Sequence, residues 1–118
     1  MKKINIIKSN DEYNRIIKTC HSYKYNDYVV YYEKNNDVSY HFGFSVGKKI
    51  GHAVTRNKIK RQTKAILDKY TFKNGFNCII MVRKGILSKS FIEMEKDLDI
   101  VLKKINIIKE KNNEEKNR

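Results

Sequence analysis

Residues 38–47 run Val38-Ser39-Tyr40-His41-Phe42-Gly43-Phe44-Ser45-Val46-Gly47. Val38, Tyr40, Phe42, Phe44 and Val46 alternate with Ser39, His41, Gly43, Ser45 and Gly47. This is the period of two that puts bulky side chains on one face of a strand and small or polar ones on the other. One face is expected to be core and the other open. Lys48-Lys49-Ile50-Gly51-His52 then leaves the strand through a loop. A helix is predicted from about Val54 to Tyr70, stopped near Asn74-Gly75. Phe76 to Val82 is a continuous apolar run of strand length, bounded by Gly75 and Gly85.

On the N-terminal side, Ser9-Asn10-Asp11-Glu12 has the Ser-x-x-Glu spacing of a capping box. Tyr13, Ile16, Ile17 and Cys20 follow at helical spacing, so a short amphipathic helix is predicted over about 10–20. His21 to Tyr25 alternates weakly and Tyr28-Val29-Val30-Tyr31-Tyr32 is β-branched and aromatic throughout. Two strands are expected there, the second ending in a hairpin turn at Asn35-Asn36-Asp37. Ser90-Phe91-Ile92-Glu93 is a second capping box. Phe91, Met94, Leu98, Val101, Leu102, Ile105 and Ile108 continue from it in steps of three and four, the stripe of a helix lying on a sheet. The order is α-β-β-β-α-β-α. It predicts an α+β two-layer sandwich with a central four-stranded mixed sheet and helices packed on it. Residues 1–109 are expected to form a single domain, and the polar, aperiodic stretch 110–118 a disordered tail.

The chain has 118 residues, enough for one modest core. Its apolar stretches reach five residues, far short of the roughly twenty that a membrane helix needs, so no membrane partner is expected. The N-terminus is charged but lacks the apolar region and cleavage site of a signal peptide, so the protein is expected to stay in the cytoplasm. Cys20 and Cys78 have no metal-ligand spacing and read as small hydrophobes. Neither a disulfide framework nor a zinc site is expected.

Charge is the informative quantity. Lys and Arg number 26 against 13 Asp and Glu, for a formal net charge of +13. Between Val38 and Leu67 there is no Asp or Glu at all. On a helical wheel Arg56, Asn57, Lys60, Arg61 and Lys64 share one arc, while Ile59, Thr63, Ile66 and Tyr70 share the opposite one. With Lys48, Lys49 and Lys58 this makes a cationic ridge without a carboxylate. Solvated helix faces usually mix signs to gain i,i+4 pairs, and this one forgoes them. Such a ridge suits phosphates, whose neutralisation releases condensed counterions.

Tyrosines crowd the first third of the chain at positions 13, 23, 25, 28, 31 and 32. A π-face beside a basic groove holds single-stranded nucleic acid, although strand tyrosines also serve as ordinary core residues. The helix face Tyr13/Ile17/Cys20 could wall a cleft floored by the small-residue side of the 38–47 strand. No acid–base constellation stands out: His21, His41 and His52 share no evident partner, and the carboxylates lie mainly in helix starts, the turn, the last helix and the tail. No catalytic residue and no small-molecule substrate are expected. The composition alone leaves a ribosomal or assembly protein, a self-sufficient endoribonuclease and a major-groove DNA reader as competitors. The last lacks a helix-turn-helix pair ahead of Arg56, Asn57 and Arg61.

The run Gly51-His52-Ala53-Val54-Thr55-Arg56-Asn57-Lys58-Ile59-Lys60-Arg61 resembles the signature of bacterial ribonuclease P protein subunits. Phe42 to Lys49 is similar to the strand that leads into it, and element order and length agree over about residues 4–108. The resemblance implies a small basic subunit of a ribonucleoprotein endonuclease that removes the 5′ leader of precursor tRNA. It implies that a catalytic RNA does the chemistry with Mg²⁺. By motif, Lys48, Lys49, Arg56, Asn57, Lys60, Arg61 and Lys64 would contact that RNA, and Tyr13, Ile17 and Tyr31 would line a leader-binding cleft. Ile17 stands where the family commonly has an aromatic, Lys64 where it has Arg, and Gly47 where it has Ser, so leader binding should lean on Tyr13 and Tyr31. The family fold also implies a left-handed βαβ crossover, against the usual rule.

Overall fold

The computed structural model describes residues 1–111, in the order α1 (Asn10–Thr19), β1 (Ser22–Tyr25), β2 (Tyr28–Lys34), β3 (Tyr40–Val46), α2 (Ala53–Leu67), β4 (Tyr70–Phe72), β5 (Phe76–Val82), α3 (Phe91–Lys104) and β6 (Ile108–Lys111). The strands β1-β2-β5-β3 form a mixed four-stranded sheet in that spatial order. β1/β2 and β2/β5 are antiparallel, and β3/β5 is parallel. The α+β architecture read from the sequence is therefore present. β4 and β6 add a separate antiparallel pair.

Alternation sorts the side chains as expected. Phe42, Phe44 and Val46 are buried in the core with Tyr28, Val30, Phe76, Cys78, Ile80 and Val82, beneath Ile59, Ile66 and Leu67 of α2 and Met94, Leu98, Val101 and Leu102 of α3. Phe72 joins β4 to this core, its ring centroid 4.9 Å from that of Phe42 in an edge-to-face arrangement. The short α1 lies on the opposite face of the sheet.

Several boundaries differ from the sequence expectation. The turn residues 35–37 do not close a hairpin, because β5 sits between β2 and β3 and the segment crosses over it. Turn composition marks a change of direction without naming the next neighbour. The hairpin in the sheet is β1/β2, closed at Asn26 and Asp27, with Asn26 at φ +50°. Val38, expected on the core face, lies in the connection before β3 and is 89% exposed.

The middle helix ends at Leu67, not Tyr70. Tyr70 and Phe72 are buried around an exposed Thr71, a strand alternation that mimics helical spacing from Ile66. The last helix stops at Lys104, where Asn106 takes φ +59° and breaks it, so Ile108 belongs to β6. Glu110 and Lys111, assigned to the tail from sequence, complete β6; residues 112–118 of that assignment lie outside the described residues. Both helix caps exist, but only Ser90 and Glu93 form a full capping box. At Ser9 the hydroxyl accepts from the Glu12 N–H at 3.3 Å, while the Glu12 carboxylate turns to Arg15 at 2.8 Å. Among the described residues no helix is long and apolar enough to cross a membrane.

Candidate nucleic-acid interface

The ridge begins where β3 ends. A 3₁₀ turn, Lys48–Ile50, inserts Ile50 into the core and leaves Lys48 and Lys49 exposed. α2 then buries Ile59, Thr63, Ile66 and Leu67, and Thr63 Oγ1 satisfies itself on the Ile59 carbonyl at 2.8 Å. The opposite arc is thereby turned outward. Asn57, Lys58 and Arg61 are exposed, while Arg56, Lys60 and Lys64 are half-buried along their stems. Arg56 Nε donates to the Gly51 carbonyl at 3.2 Å, which ties the guanidinium to the loop before the helix. Lys64 Nζ stands 5.6 Å from the centroid of the Phe44 ring.

Among the described residues, none of the seven cations Lys48, Lys49, Arg56, Lys58, Lys60, Arg61 and Lys64 pairs with a carboxylate. The first turn of α2 carries no acid, and its N-cap His52 makes no side-chain cap bond. Leading backbone N–H groups and the positive end of the helix dipole therefore add to the same electropositive surface. On α3 the acids are occupied. Glu95 is held by Lys69 at 2.7 Å and Lys111 at 3.3 Å, and Asp99 by Lys103 at 2.9 Å. The hydrogen bond from Lys69 leads in holding the Glu95 carboxyl below its usual range. The excess of positive charge is thus concentrated by neutralisation on the α3 side.

The second feature is the face of the sheet that carries α1. Residues Val29 of β2, Met81 of β5 and Ser45 of β3 are in register, and so are Tyr31, Ile79 and Gly43. Ile16 and Ile79 are fully buried between α1 and the sheet. Tyr13 crosses Gly43 so closely that a Cβ there would lie 2.7 Å from its ring. Its hydroxyl then accepts the Phe44 N–H at 2.7 Å and lies 3.4 Å from the Phe44 carbonyl. Burial raises the Tyr13 hydroxyl pKa, the Phe44 bond opposing it, so the group stays protonated.

Tyr13, Ile17 and Tyr31, the sequence-assigned cleft residues, are all half-buried and share this face. The other tyrosines divide differently: Tyr28 is fully buried, and Tyr23 and Tyr32 pack against the core on the far face. The row Val29–Met81–Ser45 lies on the ridge side of α1, because β3 leads from Ser45 directly into Lys48 and Lys49. Lys24, paired in register with Val29, and Arg83 and Lys84, which follow β5, add exposed cations at that end. Sequence reading missed Met81, Lys24, Arg83 and Lys84. Only the parallel pairing of β3 with β5 brings the two strand ends together.

A recess of about 480 Å³ lies on the other side of α1, lined by Lys3, Lys8, Glu12, Asp37, His41 and Asn77 among others. There Lys3 and Lys8 are balanced by Glu12 and Asp37. That recess has no charge preference for a polyanion, in contrast to the ridge side. Among the described residues no three His, Cys, Asp or Glu side chains gather into a set able to hold a metal ion.

Comparison with known proteins gives a consistent result. The family model described as Ribonuclease P matches residues 1–106. The Ribonuclease P protein component of Mycoplasma mycoides subsp. mycoides is 41% identical over 109 residues, covering 89% of this chain and 99% of that one. Its counterpart in Streptococcus pneumoniae is 36% identical over 118 residues, with coverages of 98% and 96%. The solved Staphylococcus aureus RNase P protein superposes with a TM-score of 0.78 at 30% identity, over 87% of this chain and 96% of that one. The Thermotoga maritima RNase P protein gives 0.77 at 25%, over 85% and 96%. A basic ridge free of carboxylates, the fold that presents it and the match along nearly the whole chain all lead to one assignment: this chain belongs to the ribonuclease P protein component family.

Proposed function

We propose that the chain binds the catalytic RNA of ribonuclease P through Lys48, Lys49, Arg56, Asn57, Lys60, Arg61 and Lys64, and holds the single-stranded 5′ leader of precursor tRNA along the Tyr13/Ile17/Tyr31 cleft. As a member of its family it is the protein part of an endoribonuclease, and its partner is an RNA. The observation that carries the finer reading is the continuity of the two surfaces: β3 forms the floor of the cleft at Ser45 and delivers the chain into the unpaired cations at Lys48. A strand of RNA leaving the cleft at that end meets phosphate-binding charge without a break.

The division of labour follows from the residues present. Lysines, arginines and an asparagine bind and orient phosphates, and Tyr31 offers a face on which a base can stack. The Mg²⁺ that the holoenzyme requires supplies the activation of water and the stabilisation of phosphate charge. Such an ion takes oxygen ligands, and the cationic interface presents no carboxylate, so in this reading the RNA would hold it. The protein moves no proton in this reading. A ribosomal or assembly role would leave the cleft without a strand to hold, and the family match runs against it. Precursor tRNA of a bacterium is made in the cytoplasm, so in this reading the place of action is the cytoplasm.

The test is cleavage of a 5′-extended precursor tRNA at low Mg²⁺ by a bacterial ribonuclease P RNA, with the protein, without it, and by the protein alone. Stimulation that needs both components supports the reading. Binding of the RNA without any change in cleavage would move the assembly role ahead.

A further inference from the structure

We infer that Tyr13 acts in leader binding as a positioning residue: its hydroxyl latches α1 to the outer edge of β3 and, together with an Arg15–Glu33 clamp on β2, fixes where the helix crosses the sheet. The inference rests on the leader-cleft reading above and adds to it what sets the cleft's geometry.

The two anchors lie on different strands. On β3, which is the edge strand of the sheet, the outward backbone groups are covered one after another. Asn5 Nδ2 donates to the Tyr40 carbonyl at 2.7 Å, the Ile7 N–H to the Phe42 carbonyl at 2.8 Å, and the Phe44 N–H goes to Tyr13. An edge N–H left free would be taken by water, so the tyrosine hydroxyl replaces solvent at one defined point of the strand. On β2, Glu33 receives Arg15 through both terminal nitrogens, at 2.9 and 2.6 Å, and is itself held by Asn77 Nδ2 at 2.7 Å. This is the forked geometry that fixes direction as well as distance.

Apart from a Cys20 Sγ contact to Glu33 at 3.5 Å, the rest of the helix is held by apolar contact, with Ile16 fully buried. A helix of ten residues has little stability of its own, and apolar packing does not specify its position along a smooth face. Gly43 is what admits the latch, since any side chain there would displace the ring. Part of the Tyr13 ring is spent against Gly43, which leaves Tyr31 and Ile17 to meet the leader across a gap whose width the latch determines. The hydroxyl, and not only the ring, therefore matters to leader recognition.

The test uses the reconstituted holoenzyme and reads the ratio of affinities for precursor and mature tRNA. Tyr13→Phe keeps the ring and removes the latch, and Arg15→Gln removes the fork. Each is expected to lower the ratio by about threefold or more, the scale of one net hydrogen bond, whereas Tyr31→Ala lowers it through the base contact. A wild-type ratio for Tyr13→Phe beside a collapsed one for Tyr13→Leu would overturn the inference, because the ring alone would then suffice. An unchanged ratio for Tyr31→Ala would instead overturn the cleft reading itself. Should Tyr13→Phe fail to fold in a circular-dichroism melt, Arg15→Gln decides: a lowered ratio supports the positioning role and a wild-type ratio overturns it.

Discussion

Lys64 Nζ sits 5.6 Å from the centre of the Phe44 ring, and the backbone N–H of the same Phe44 is bound by the Tyr13 hydroxyl at 2.7 Å. One residue of β3 therefore touches the cationic ridge with its side chain and the cleft wall with its main chain. The helix that carries the ridge and the helix that walls the cleft are braced against the same strand from opposite faces of the sheet.

Lys64 is placed to test this arrangement. Replacement by Met keeps an unbranched stem near Phe44 but removes the charge, and is expected to reduce the slope of log K against log salt for catalytic-RNA binding by about 0.7–0.9, one phosphate's share. Replacement by Arg, which supplies a planar fork, should keep the slope and tighten binding. Filter-binding titrations across a salt series measure both, and an unchanged slope for the Met variant would remove Lys64 from the interface.

Arg56→Ala and Arg61→Ala are each expected to cut the same slope by about 0.7–0.9 while the far-ultraviolet spectrum stays as in the wild type. Arg61 is exposed, so its loss should leave the melting temperature unchanged. Arg56 also bonds the Gly51 carbonyl, so its variant should show a small additional loss of stability. Wild-type RNA affinity in both variants would sink the assignment of the ridge.

Much of this interface could be read in the sequence because it is carried by local periodicity. The absence of acids from Val38 to Leu67, the 56/60/64 spacing and the alternation through Phe42 and Phe44 each survive into the structure. What escaped was pairing. Nothing local shows that β5 inserts between β2 and β3, so Asn35–Asp37 reads as a hairpin and Met81 and Lys24 do not register as cleft neighbours. Short strands escaped for a related reason: Tyr70–Phe72 and Ile108–Lys111 hold too few residues to display a period of their own. The Tyr13 hydroxyl bond was equally hidden, since it joins residues far apart in the chain.

Tyr31→Ala should weaken binding of precursor tRNA by about 1–3 kcal/mol, the range for one base–aromatic stack, and should leave mature tRNA nearly unaffected. Equilibrium binding of the two substrates to the same reconstituted particle measures the difference. Equal losses would return Tyr31 to a packing role.

Glu33 gives the fold a dependence on acid. The bonds from Arg15 lead in lowering its carboxyl from 4.5 to about 2, against the opposing effect of burial. Its contribution is therefore fully present above the unfolded value near 4.5 and is lost as pH falls through about 2. Because the Arg15 side chain is 45% exposed, solvent screening makes the gain at neutral pH smaller than the shift alone would imply. Urea unfolding of Glu33→Gln should show that deficit at pH 6 and converge on the wild type toward pH 2. A deficit that does not change with pH would mean that the side chain stabilises by shape alone.

The C-terminal boundary makes the last prediction, and it turns on β6. Lys111 Nζ lies 3.3 Å from Glu95 and 5.3 Å from the Tyr70 ring, and the strand it ends covers an edge of β4 whose Tyr70 and Phe72 belong to the core. Two shortened chains isolate the contribution of the strand, one ending at Lys111 and one at Ile107. The second loses the β4 pairing and uncovers two aromatic residues, each worth about 1 kcal/mol or more on partial exposure. It should therefore melt several degrees below the first. Equal melting temperatures would show that β6 adds no stability and that the stable domain ends at Ile107, short even of the boundary at 109 that composition suggests.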